Sequence, residues 1–151
     1  MKLLLLYPLI CGLFLQILPA QDSTRWHTQL TEAQAQAQQK SAPIFMVFSG
    51  SDWCKPCMRF KNQVLEHPDF LRYADQHLVL LQLDFPAKKK NKLPDELRAH
   101  HEALAERYNP QGAFPAVLLL NAEGQELHRL DYRANLGPAD YIQKLQSHLQ
   151  P

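Results

Sequence analysis

The sequence is poor in cysteine, with three in 151 residues at positions 11, 54 and 57. So few cannot staple a disulfide-built mini-protein, and their spacing does not match a four-ligand zinc site. Charge of one sign is also missing. Sixteen Lys plus Arg stand against 15 Asp plus Glu, net +1, so there is no global pull toward nucleic acid. No internal repeat and no Pro/Gly/Ser-rich linker divides the chain, which excludes a repeat array and leaves one domain. Charged residues at 21% with 46% hydrophobic residues exclude wholesale disorder and a fibrous repeat.

Residues 1–20 read as a secretory signal. Lys2 supplies a positive start, Leu3 to Leu15 a mostly apolar stretch, and Leu18-Pro19-Ala20 a cleavage end. The expected division is a cleavable signal at 1–20 and a single domain at 21–151, exported to a periplasmic or extracellular space. The alternative is an uncleaved anchor, but a stretch broken by Pro8 is short for a span of about 20 residues. Pro8-Leu9-Ile10 is a poor lipoprotein signal before Cys11. Cleavage removes Cys11 and leaves Cys54 and Cys57 alone. In an oxidising compartment such a pair is either a closed disulfide or a working redox couple.

Along the remaining chain, Thr31-Glu32-Ala33-Gln34 reads as a capping box that opens a helix ending near Lys40. Ile44 to Phe48 is a short apolar run bounded by Pro43 and Ser49-Gly50-Ser51, and reads as a buried strand. A helix is expected from Cys54 to about Glu66, and His67-Pro68-Asp69 separates it from a short turn at Phe70 to Ala74. Leu78 to Asp84 is a second buried strand. Leu97, His101, Leu104 and Tyr108 mark a helix over Asp95 to Tyr108. Ala116 to Leu120 and Gln125 to Leu130 form a hairpin across Asn121-Ala122-Glu123-Gly124. Pro138 begins a last helix with Tyr141, Ile142, Leu145 and Leu149 on one face. Strands alternating with helices predict an α/β fold with a parallel core and one antiparallel hairpin.

Trp53-Cys54-Lys55-Pro56-Cys57 falls between a buried strand and a helix. Free N–H groups at a helix start favour a thiolate, so the expected pKa of Cys54 is low, with Lys55 adding positive charge. Two intervening residues bring both sulfurs into one turn, with Cys54 expected on the exposed rim and Cys57 behind it. Pro56 is tolerated in a first turn, which needs no intrahelical N–H bond. Asp52 is the other ionisable neighbour and, with Lys55 and Pro56, is expected to support the pKa and geometry of the pair.

The chain resembles the thioredoxin-like superfamily, in particular exported single-domain members of the thioredoxin-7 and DsbD C-terminal-domain type. The matching residues are Trp26, Ala33, Ala37, Pro43, Asp52, Trp53, Cys54, Cys57, Pro68-Asp69 and the strand Leu78 to Asp84. Gly112-Ala113-Phe114-Pro115 is a second match. The resemblance implies a thioredoxin fold, a mixed four-stranded sheet flanked by helices with an extra N-terminal helix. It implies that Pro115 follows a cis peptide bond beside the cysteines and that the backbone of Phe114 pairs with substrate. Implied chemistry is thiol–disulfide exchange, with Cys54 attacking and Cys57 resolving, no cofactor beyond the Cys54–Cys57 couple, and no metal. Expected partners are protein thiols and disulfides and a DsbD-type membrane electron donor. The protein is expected to be a monomer that binds no nucleic acid. Reductase is the favoured direction; oxidase or isomerase, or a non-catalytic binding module or chaperone, are the alternatives.

One departure concerns proton transfer. Thioredoxins carry a buried acid at the sixth position before the first cysteine, and here that position is Phe48. Other features have plain readings beside functional ones. A static disulfide across so short a loop stabilises little. His100-His101 is the one suggestive metal cluster, but neighbours on a helix point about 100° apart. Trp26 reads as core, and Trp53 as an apolar docking platform. The run Lys88, Lys89, Lys90 and Lys92 in the loop Phe85 to Leu93 reads as solvated surface, with steering of an acidic partner as the alternative.

Overall fold

The structure is a computed structural model that describes residues 25–149. The expected signal at 1–20, with Cys11, lies outside the described residues. Five strands and five helices follow in the order β1 (Trp26–His27), α1 (Leu30–Lys40), β2 (Ile44–Ser49), α2 (Lys55–Phe60), α3 (Pro68–His77), β3 (Val79–Asp84), α4 (Asp95–Tyr108), β4 (Ala116–Leu120), β5 (Glu126–Leu130) and α5 (Pro138–Leu149). Among these residues, no helix is long and apolar enough to cross a membrane.

The sheet order is β1-β3-β2-β4-β5, with β1, β3 and β2 parallel and β4 and β5 antiparallel to their neighbours. The expected four strands are therefore five. Trp26 and His27 pair with Leu80 and Leu81, a ladder too short to leave an alternating pattern in the sequence. Trp26 is half-buried against the sheet rather than deep in the core.

Side chains alternate across β2 and divide the core. Ile44, Met46 and Phe48 face a cluster closed by Ala33 and Ala37 of α1 and by Leu104 and Tyr108 of α4. Phe45 and Val47 face the opposite cluster, built with Phe60, Val64, Phe70, Tyr141 and Leu145. Burial of these apolar side chains, at roughly 1.5–3 kcal/mol for each large one, is the main force holding helices to both faces.

Three local expectations are corrected. Helix α1 starts at Leu30 after Gln29, with no side-chain cap. Thr31 therefore lies inside the first turn and cannot cap it, and the Gln34 amide donates to the carbonyl of Ala122 (3.0 Å). The helix after Cys54 is α-helical only to Phe60 and continues as a π-helical segment, Lys61–Leu65. His67-Pro68-Asp69 opens a full ten-residue helix rather than preceding a short turn. The His67 Nδ1 accepts the Asp69 N–H (3.2 Å), and Pro68 fits a first turn that requires no N–H bond.

Candidate active site

Cys54 and Cys57 are joined in a disulfide with Cα atoms 5.2 Å apart. Cys54 is the N-cap of α2, and its Sγ accepts the N–H of Cys57 (3.2 Å). That bond aims a backbone donor at the sulfur that would carry negative charge once the disulfide opens, which favours a thiolate there. Lys55 and Pro56 occupy the first helical positions and are exposed. The expected exposed rim position of Cys54 is corrected: it is only 4% exposed, against 2% for Cys57. The exposed rim consists of Trp53, Lys55 and Pro56 instead.

The rim is held by contacts that reach across the fold. Trp53, 47% exposed, donates its indole N–H to the carbonyl of Phe85 (2.7 Å) and lies edge-on to Phe114 at 5.3 Å. Phe114 in turn meets Phe85 at 5.4 Å. Gly50 lies directly under the indole, where a Cβ would collide with the ring, so glycine is required by close approach. The Phe114–Pro115 bond is cis. Pro115 and Cys57 line one cavity, so the proline lies beside the disulfide.

The turn before Pro115 is fixed by Asn109, a buried residue that sequence reasoning missed. Its amide donates to the carbonyl of Ala113 (2.9 Å) and accepts the Ala113 N–H (3.1 Å). A buried asparagine at the end of an otherwise regular helix was the available signal. Among the described residues, neither backbone group of Phe114 has a hydrogen-bond partner. It borders a groove of about 680 Å³ that runs past Pro115 and Ala116 to Tyr132 and Arg133.

Asp52 faces away from the sulfurs. Its carboxylate accepts the N–H groups of Ala87 (2.8 Å) and Lys88 (3.0 Å) and the amide of Asn91 (2.8 Å). The Ala87 N–H chiefly, opposed by desolvation and helped by Asn91 and by the N–H and charge of Lys88, holds its pKa below the usual 3.8. Asp52 is thus an anchor of the loop after β3. Asp84 works beside it, accepting the N–H (2.9 Å) and hydroxyl (2.6 Å) of Ser51.

The position of Phe48 differs from what counting back from Cys54 suggests. Phe48 points to the α1/α4 side and stacks on Phe85 at 6.2 Å. The residues of β2 that reach Cys57 are Val47 and Ser49, on the other face. An acid at position 48 would therefore miss the sulfur. What borders Cys57 is a cavity of about 180 Å³ whose polar wall is Ser49, Gln82, Lys61 and Glu66. A space of this size with several polar partners suits water.

The two adjacent histidines are occupied in holding the fold. His101 is buried, with Nδ1 3.0 Å from the Asp84 carbonyl and Nε2 3.1 Å from that of Thr28. His100 Nε2 accepts the N–H of Leu30 (3.2 Å), and burial, with His101 nearby, lowers its pKa from 6.5.

Comparison with known proteins agrees with this geometry. A family model described as Thioredoxin-like matches residues 25–122. A disulfide bond reductase, DsbH, of Chlamydia pneumoniae is 34% identical over 131 residues, covering 87% of this chain and 76% of the relative. The thiol:disulfide interchange protein DsbD of Klebsiella pneumoniae is 36% identical over 94 residues, 62% of this chain but only 14% of that longer protein. A solved structure of a DsbH oxidoreductase superposes with a TM-score of 0.73 at 34% identity, covering 80% of this chain and 81% of the other. The paired cysteines at a helix start, the cis-proline beside them and these relatives together establish that the chain belongs to the thioredoxin-like family.

Proposed function

We propose that this thiol–disulfide oxidoreductase acts as an exported reductase of protein disulfides, with Cys54 as nucleophile and Cys57 as resolving thiol. One observation carries the reading: the cysteine pair caps α2 with a backbone N–H on the Cys54 sulfur, while the Phe114–Pro115 turn stands beside it. In the reduced protein the Cys54 thiolate attacks a substrate disulfide. One substrate sulfur bonds to Cys54 and the other leaves as a thiolate that takes up a proton. Cys57, once deprotonated, attacks the Cys54 sulfur and expels the second substrate thiolate. The substrate gains two electrons and two protons, and the Cys54–Cys57 disulfide remains.

Substrate placement falls to the rim. The unpaired N–H and C=O of Phe114 can pair with an extended segment, and the groove beside it has room for one. Trp53 offers an exposed apolar face. Proton removal from Cys57 is assigned to water in the adjoining cavity, with Glu66 at its polar wall. Residues 1–20 support export, and the name of the DsbH relative supports the reductive direction. Its regenerating donor is a DsbD-type membrane reductase, in keeping with the similarity to DsbD.

Redox equilibration of the full chain against glutathione tests the direction. A reductase is expected near the potential of thioredoxin, about −270 mV, whereas a value near about −120 mV belongs to an oxidant and would overturn the assignment.

A further inference from the structure

The lysine-rich loop is a fixed part of the active-site rim. Lys88, Lys89 and Lys90 are exposed and make no ion pair among the described residues, whereas Lys92 pairs with Asp95 (2.9 Å). Six hydrogen bonds tie Asp84 through Asn91 to Ser51, Asp52 and Trp53, immediately before Cys54. Three of them end on the one carboxylate of Asp52. A 3-10 turn at Lys89–Asn91 closes the loop.

Solubility alone does not ask for this arrangement. Neighbouring like charges repel and are most favourable when free to spread into solvent, and ordering a loop costs conformational entropy. Here the loop that hydrogen-bonds Trp53 orders them without a contact ion pair, only Lys88 feeling the nearby Asp52 charge, in a protein whose net charge is only +1. The two acids nearest in the hydrogen-bond network, Asp52 and Asp84, face inward to the backbone N–H groups and the Ser51 hydroxyl, so they supply anchoring. The result is a local positive field at one edge of the disulfide, able to select and accelerate an oppositely charged partner.

We infer that Lys88, Lys89 and Lys90 form a docking site for an acidic segment of the protein substrate, beside the cysteine that exchanges with Cys54. The inference rests on the exchange reading above and specifies the charge of the substrate. Asp52 is its positioning residue, since it sets where the three cations stand.

The test uses the full chain, kept reduced by a small thiol reductant whose background rate is subtracted, and three disulfide-linked peptides, identical except that the residues flanking cysteine are all Glu, all Gln or all Lys. At low salt the Glu peptide is expected to be reduced with kcat/KM about tenfold above the Gln peptide, and the Lys peptide to fall below both. The Glu-to-Gln ratio should collapse toward one at high salt. In a Lys88→Gln/Lys89→Gln/Lys90→Gln variant, shown by circular dichroism to be folded, the ratio should be near one at every salt concentration. Asp52→Asn, which keeps the cations but loosens their anchor, should give an intermediate ratio. Equal rates on the Glu and Gln peptides, or a triple variant that keeps the preference, would overturn the inference while leaving disulfide reduction intact. No turnover of any peptide would overturn the functional reading and the inference with it.

Discussion

Replacing Gly50 by alanine puts a methyl group where the Trp53 indole lies. If the ring stays, the overpacked contact costs about 1–3 kcal/mol. If it swings out, it forfeits the 2.7 Å hydrogen bond to Phe85, about 0.5–1.5 kcal/mol, and the edge contact with Phe114, a further 0.5–1.5 or so. Both routes give a loss of roughly 1–3 kcal/mol, or a fall of about 3–10 °C in Tm for a domain of this size. Denaturant unfolding of Gly50→Ala measures the cost, and a cycle with Trp53→Ala assigns it. Removing the indole takes away the three atoms nearest to the methyl group, so the Gly50 substitution should then cost little, and the coupling should carry most of the loss. An equal cost in both backgrounds would refute the claim that glycine is there to admit Trp53.

Two further outcomes follow from the rim. Because the folded-state pKa of Asp52 is depressed, its anchoring is complete above the ordinary value of 3.8 and is lost as pH falls through the depressed value. The Ala87 and Lys88 amide resonances should therefore stay constant from neutral pH down to that region and move only below it. A transition above 3.8 would contradict the assignment. Asn109→Ala removes both bonds to Ala113 and should cost about 1–2 kcal/mol, with kcat/KM for a protein disulfide falling as the Phe114–Pro115 turn loosens. Unchanged kinetics would mean that the turn holds itself.

Much of this architecture was legible in the sequence because its signals are local. The apolar run Ile44 to Phe48, the hairpin around Gly124 and the amphipathic helices were read directly, and Cys54 and Cys57 were identified from a strand, a turn and a helix start. Features fixed by tertiary contact escaped. Trp26–His27 becomes a strand only because Leu80 and Leu81 lie alongside, and Asn109 matters because the chain turns back onto it at Ala113. Phe48 shows the limit of counting along a sequence. A shift of one residue between strand and motif moves a side chain to the other face, so the polar neighbours of Cys57 come from Ser49, Gln82 and the π-helical segment. Asp52 reads in the sequence as a support of the cysteine pair, whereas its carboxylate is taken up by partners more than thirty residues away in the lysine loop.

The central claim is that Cys54 attacks and Cys57 resolves. It is tested most directly by incubating Cys54→Ser and Cys57→Ser proteins with a protein disulfide and separating the products without reductant. Cys57→Ser should accumulate a mixed disulfide through Cys54, while Cys54→Ser should form none and neither variant should turn over. Continued turnover in Cys54→Ser, or a mixed disulfide captured at Cys57 instead of Cys54, would contradict it.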